Sequence, residues 1–288
     1  MESATAEKRK ALRSMLAGST IHLAPSCNDG LSARFVEWLG FPLVHISGSG
    51  LHRALGFADA GLLTLTEMIE RARLISDAVQ LPVVSDAETG YGNVVNVVRA
   101  VREFERAGVA GIHIEDQMTP KRASHEGFDF GLVSKEEMVA KIKAAVDTRR
   151  DESMVIIARS EARHSLEERL ERLQACCEVG ADAAWVSARS EDEIRAYAQN
   201  LNKPLVGVPP RQLMTIQRYG ELGVRVGCLP TVLQVAALHA MRQLLQELKD
   251  TGTDARYFRE TPGIEDTRRW YSELGNKELR DIEARYRF

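Results

Sequence analysis

Residues 85–93 read Ser-Asp-Ala-Glu-Thr-Gly-Tyr-Gly-Asn, and Glu115-Asp116 follows a short way downstream. Asp86 and Glu88 are two apart, so in extended chain both side chains point the same way. Two carboxylates facing one direction repel unless a cation lies between them. A hard divalent ion that takes oxygen ligands and keeps several waters is the natural occupant, magnesium first and manganese as its substitute. The competing reading, helix-capping acids in a surface loop, suits one acid better than a pair joined by Glu115.

Other chemistry-bearing residues stand at comparable points. Ser47-Gly48-Ser49-Gly50 is a turn able to present backbone N–H groups and hydroxyls to an anion. Arg159 offers a forked donor for a carboxylate or phosphonate, and Ser187 closes a later apolar run. His113, two before Glu115, shares that residue's face. His22, His45, His52, His164 and His239 receive no role and read as structural or exposed. Residues 117–133 form a long loop containing Lys121, Arg122 and His125. Long loops in compact domains are usually lids or binding loops, and this one would bring positive charge over a metal-bound dianion and exclude water.

Short apolar runs at 20–24, 43–47, 82–86, 111–115, 154–159, 183–187, 204–208 and 224–228 must position these residues. They alternate with amphipathic stretches at 31–39, 65–79, 94–107, 135–149, 166–179, 191–201 and 213–222. Eight strands alternating with helices predict an eight-stranded parallel α/β barrel of the TIM type, whose chemistry collects at the carboxyl ends of the strands. Gly40, Gly108, Gly180 and Gly223 each precede a strand and fit the left-handed residue that stops a helix. The rival, an open doubly wound sheet, would want Gly-x-Gly-x-x-Gly after the first strand, where the chain has Pro25-Ser26-Cys27-Asn28-Asp29-Gly30. The barrel, with an N-terminal helix and the 117–133 lid, is expected over 1–250. Residues 251–288 are expected as a helical tail whose Trp270, Tyr271, Tyr286 and Phe288 pack on a neighbouring subunit of an oligomer.

At 288 residues and 44% hydrophobic content the chain can bury a large core. A net charge of −3 with both signs interspersed predicts no nucleic-acid partner and no anionic membrane. No apolar run approaches a membrane span, and the charged first residues lack an apolar signal core. Four cysteines without metal spacing (Cys27, Cys176, Cys177 and Cys228) fit a reducing cytoplasm.

Four segments together resemble the isocitrate lyase / phosphoenolpyruvate mutase superfamily: 86–93, Arg-Glu-Phe-Glu-Arg-Ala-Gly-Val-Ala-Gly-Ile-His-Ile-Glu-Asp-Gln at 102–117, Pro-Lys-Arg at 120–122, and Ile-Ile-Ala-Arg at 156–159. Residues 28–34 look like the mutase branch. Residues 40–50 look like the carboxyphosphonoenolpyruvate mutase and 2,3-dimethylmalate lyase branch. The resemblance implies a barrel assembled as a dimer of dimers with swapped C-terminal helices. It also implies that Asp86, Glu88 and Glu115 hold magnesium, that Ser47 and Gly48 hold a substrate carboxylate, and that Arg159 clamps it. Asp59, otherwise a loop acid, matches a family aspartate facing the metal.

The catalytic candidates are thus Asp59, His113, Lys121 and Arg159. Candidates for holding substrate are Ser47, Gly48, Ser49, Asp86, Arg122, His125, Arg159 and Ser187. The chain departs from the family's lyases at Ala123, where they carry a cysteine acid, and at Ser187, where they carry a glutamate. It departs from the phosphonate mutases at Ala123 and Gln117, and Glu88 stands in place of an aspartate. The expected activity is magnesium-dependent carbon–carbon cleavage of a small 2-oxo or 2-hydroxy di-acid, oxaloacetate decarboxylation foremost. The alternatives are a phosphonopyruvate mutase or hydrolase, a dimethylmalate or methylisocitrate lyase, and a non-catalytic metal- and 2-oxo-acid-binding protein.

Overall fold

The computed structural model describes residues 2–121, 131–162, 165–210 and 212–286. Eight strands appear: β1 (His22–Pro25), β2 (Val44–Ile46), β3 (Val83–Asp86), β4 (Gly111–Glu115), β5 (Val155–Arg159), β6 (Ala183–Val186), β7 (Leu205–Gly207) and β8 (Val224–Leu229). All pair in parallel in the order β1-β8-β7-β6-β5-β4-β3-β2, and a parallel bridge between Ser26 and His45 links the two ends. The predicted barrel is therefore the observed one.

Helices α1 (Glu2–Ala17), α2 (Gly30–Trp38), α3 (Gly48–Ala54), α4 (Leu65–Ala78), α5 (Val94–Arg106), α6 (Lys135–Thr148), α7 (Leu166–Glu178), α8 (Glu191–Asn200) and α9 (Ile216–Glu221) accompany the strands. Local chemistry sets their limits. Thr64 with Glu67, and Asn93 with Asn96, form reciprocal capping boxes on α4 and α5. Ser134, Ser165, Ser190 and Thr215 each accept a first-turn N–H at the start of α6 to α9. Gly40, Gly108, Gly180 and Gly223 all take positive φ, as the helix-stop reading requires. Among the described residues, the one helix without a sequence-based expectation is α3, which begins inside the supposed 47–50 turn with Ser47 as its N-cap.

Side-chain alternation along the strands divides the core in two. Outward residues such as Ile46, Val83, Ile112, Ile114 and Ile156 pack against the helices in a continuous layer. Inward residues Ala24, Val84, Val155, Ile157, Trp185, Val206, Val226 and Cys228 fill the lumen, joined by Leu12 and Leu16 of α1. Gly111 opens β4 beside this insertion: an added Cβ would lie 3.1 Å from Leu12 Cδ2 and 2.9 Å from Val155 Cβ.

The chain divides into two compact units, residues 1–233 and 234–288. The second comprises most of α10 (Val232–Thr251) with α11 (Ala255–Glu260), α12 (Ile264–Glu273) and α13 (Asn276–Tyr286). On α10, Val235, Leu238, Met241 and Leu245 are exposed at helical spacing. Buried Glu247 accepts the Arg256 N–H at 2.9 Å within this unit. Among the described residues no helix is long and apolar enough to cross a membrane.

Candidate active site

Alternation aims the last residues of β3, β4 and β5 into the top of the lumen. Asp86 pairs in register with His113, and Glu115 with Arg159. Glu88 arrives by a different route from the extended pair the sequence suggested. The strand stops at Asp86, and Glu88 adopts a left-handed backbone with φ 52°. The Ala87 N–H donates to His113 O and the Glu115 N–H to Glu88 O, both at 2.9 Å, which stitches the turn to β4. Asp86 and Glu88 then close over Gly48, where a Cβ would overlap Glu88 Oε1 and lie 2.8 Å from Asp86 Oδ2.

Lys121 enters this acid group directly. Its Nζ lies 3.2 Å from Asp59 Oδ1, 3.2 Å from Glu88 Oε2 and 3.3 Å from Glu115 Oε1. Burial pulls the ammonium's pKa down, but Glu115, Glu88, Asp86 and Asp59 together outweigh it, so it stays cationic. Arg159 lies alongside, its Nη2 2.6 Å from Glu161 Oε1 and 3.2 Å from Glu115 Oε2, its Nη1 3.7 Å from Asp86 Oδ2. The guanidinium carbon sits 5.2 Å from the Trp185 ring centroid.

Protonation follows from these neighbours. Burial pushes Asp86 up, yet His113, Arg159, Lys121 and the Glu88 N–H outweigh it and hold its carboxyl well below the usual carboxylate range. Burial itself pushes His113 down to about 4, so at neutral pH its part is that of a dipole and the two cations carry the compensation. Glu88 is pushed up to about 8 by burial and by Asp86, against the pull of Lys121. Glu115 is also raised, chiefly by burial.

His113 forms no part of the cavity wall. Its Nε2 faces His45 Nε2 at 3.1 Å, and His45 Nδ1 lies 2.6 Å from Ser26 Oγ. With His113 Nδ1 3.5 Å from Asp86 Oδ1, one proton order gives the ionised acid a donor. Ser26 O–H donates to His45, His45 Nε2–H to His113, and His113 Nδ1–H faces Asp86.

A divalent cation fits this group. Glu88 Oε1 is buried and accepts no hydrogen bond, and the Glu115 oxygens meet only the charges of Lys121 and Arg159; a buried carboxylate oxygen without a donor is costly unless a cation satisfies it. His52, Asp59 and Glu88 bring ligand atoms within 4.8 Å of one another, but His52 is already committed. Its Nε2 accepts the Leu63 N–H at 3.2 Å, which leaves the proton on Nδ1, donated to Gly48 O at 2.8 Å. The donor set is therefore Asp59, Asp86, Glu88 and Glu115, all oxygen, as a hard cation prefers.

Beside the acids is a cavity of about 120 Å³ lined by Ser47, Ser49, Asp59, Asp86, Lys121 and Arg159 on one side. His45, Trp185, Val208 and Pro230 complete its wall. Ser47 and Ser49 hydroxyls lie 3.2 Å apart. Gly48 turns its N–H to Asp86 Oδ2 at 3.2 Å and does not line the cavity. Ser187 does not line it either; its carbonyl accepts from Arg169 and, at 3.5 Å, from the Tyr197 hydroxyl. Arg122, Ala123 and His125 lie outside the described residues, as does His164. The loop's two ends are joined by an antiparallel bridge between Gln117 and Leu132.

Sequence reasoning missed His45, Trp185 and Glu161. Each stands two residues from a recognised one (Ser47, Ser187 and Arg159), so the period of a strand was the signal that would have found the first two.

The profile of the phosphoenolpyruvate phosphomutase family matches residues 12–249. A 2,3-dimethylmalate lyase from Eubacterium barkeri is 38% identical over 289 residues, covering 96% of each chain. An oxaloacetate decarboxylase from Rhodopseudomonas palustris is 39% identical over 249 residues, 85% of this chain and 86% of the relative. A solved phosphonopyruvate hydrolase in complex with oxalate and Mg2+ superposes with a TM-score of 0.87 at 31% identity, covering 98% of this chain and 99% of that one.

Proposed function

The chain belongs to the phosphoenolpyruvate phosphomutase family, within the PEP mutase/isocitrate lyase superfamily, and from that membership and its site we propose a magnesium-dependent lyase that cleaves a carbon–carbon bond in a small 2-oxo di-acid, oxaloacetate decarboxylation being the leading reaction. One observation carries this reading: four carboxylates, three of them with oxygens that accept no hydrogen bond, converge beside a part-buried arginine and two hydroxyls at the edge of one small cavity.

Asp86, Glu88, Glu115 and Asp59 would hold the ion. When bound, it supplies positive charge where the substrate's 2-oxo oxygen becomes negative. Arg159, fixed by Glu161, presents a guanidinium to one carboxylate, and the Ser47 and Ser49 hydroxyls reach its other oxygens. The bond between C3 and C4 breaks, its electron pair moves to the 2-oxo oxygen, carbon dioxide departs, and water returns a proton to C3 to give pyruvate. No thiol acid is needed, which suits Ala123 at the position where the lyases carry cysteine. Trp185, Val208 and Pro230 give the cavity an apolar wall.

The test is pyruvate release from oxaloacetate by purified protein with magnesium, above the rate of magnesium alone, and its loss in Asp86→Ala. A rate equal to the metal background removes the substrate assignment. A second reading, cleavage of an alkyl-substituted malate, is favoured by that same apolar wall and by the likeness to the dimethylmalate lyase; incubation with 2,3-dimethylmalate and assay for a 2-oxo or carboxylic acid product distinguishes it. Self-association through the exposed stripe of α10 belongs to the same reading, and sedimentation of Leu238→Glu against the parent reads it directly.

A further inference from the structure

Arg159 stands between competing acids, with Glu161 on one side and Glu115 and Asp86 on the other. Which side holds it decides whether its free N–H groups face the cavity. Glu161 makes the tighter contact, with Arg159 Nε 2.8 Å and Nη2 2.6 Å from Oε1. What places Glu161 is Asp116, a fully buried acid that touches neither the cavity nor Arg159.

Asp116 commits both its oxygens to the two residues after Arg159. Oδ1 accepts the Glu161 N–H at 2.7 Å, and Oδ2 accepts the Ser160 hydroxyl at 2.7 Å. Its backbone carbonyl accepts the Val133 N–H at 2.9 Å, at the far end of the 117–133 loop. Arg172 of α7 completes the junction, donating to Val133 O at 2.9 Å with Nη1 3.5 Å from Asp116 Oδ2. One buried carboxylate therefore ties together the end of β4, the base of the loop and the segment that carries the arginine's anchor.

We propose that Asp116, braced by Arg172, is a positioning residue that sets Arg159 through Ser160 and Glu161 and so controls anion binding in the cavity. This rests on the proposed substrate-binding role of Arg159. Its specific content is a dependence: removing Asp116 matters only while Arg159 is there to be positioned.

Calorimetric titration of the full chain with oxalate in excess magnesium tests this without requiring turnover. Asp116→Asn leaves an acceptor for Glu161 but removes the charge that holds Arg172, and Ser160→Ala is a milder variant that removes one bond. Asp116→Asn should weaken oxalate binding about tenfold or more, as displaced positioning groups do, and Ser160→Ala severalfold, with Mn2+ affinity kept. In an Arg159→Lys background both losses should shrink toward zero. Full, additive losses in that background overturn the proposal, as does unaltered oxalate binding in both single variants. No oxalate binding by the parent protein overturns this proposal and the functional reading together, whereas additive losses overturn only this one.

Discussion

The Lys121 ammonium lies 3.2 Å from Glu88 Oε2, a carboxylate that burial and Asp86 push up to about 8. Asp59 and Glu115 flank the same ammonium, so one lysine compensates a cluster suited to a divalent ion.

Replacing Lys121 by Met should therefore separate metal-free from metal-bound stability. Removing one partner from a buried charge cluster costs about 3 kcal/mol, so the metal-free unfolding midpoint should fall. Saturating magnesium should recover most of the loss, because the ion compensates the same oxygens. Equal midpoint shifts with chelator and with magnesium would contradict this.

Glu88 sets a pH dependence. Its folded value is raised from 4.5 to about 8, so its contribution to metal-free stability is fully present below about pH 4.5 and is lost as pH rises through 8. Metal binding requires the ionised form. Metal affinity should accordingly rise with pH up to about 8, with proton release on binding at pH 7, both read by titration calorimetry in buffers of different ionisation enthalpy. Glu88→Gln should reduce that release, leaving the part that belongs to Glu115.

Gly48→Ala tests the closeness of Asp86 and Glu88. The new Cβ meets the carboxylate ends of these two side chains, so they can swing away at little cost to the fold. Thermal midpoint should move by only a few degrees, while Mn2+ affinity falls about 10- to 100-fold. A large midpoint loss with metal affinity intact would reverse the assignment.

The histidine pair predicts an absence. Burial, with His113 against His45, pushes His45 down to about 3 and His113 to about 4. Neither imidazole titrates between pH 5 and 8, so the pH–rate profile should lack a limb near 6.5. His113→Asn should lower kcat/KM without introducing one.

Much of this was legible because strand and helix periods differ. The barrel, seven of its helices and the meeting of Asp86 with Glu115 followed from apolar runs that end in acids. The left-handed turn at Glu88 was not legible, since a rule for extended chain does not describe a residue beyond the strand. Gly48 looked like a free anion donor, yet its N–H is taken by Asp86, a partner 38 residues away that local spacing cannot reveal. Lys121 lies inside the acid group rather than above it, again through partners that local spacing does not reveal. Asp116, next to a recognised acid but past the end of β4, turns toward Ser160 and Glu161, partners more than 40 residues away.

The insertion of Leu12 and Leu16 into the lumen has its own effect on traffic. With greasy side chains stoppering the floor, the barrel is a cup rather than a tube: reactant, departing fragments and solvent share a single doorway at the rim. Whatever enters the lumen from above must therefore leave by the way it came.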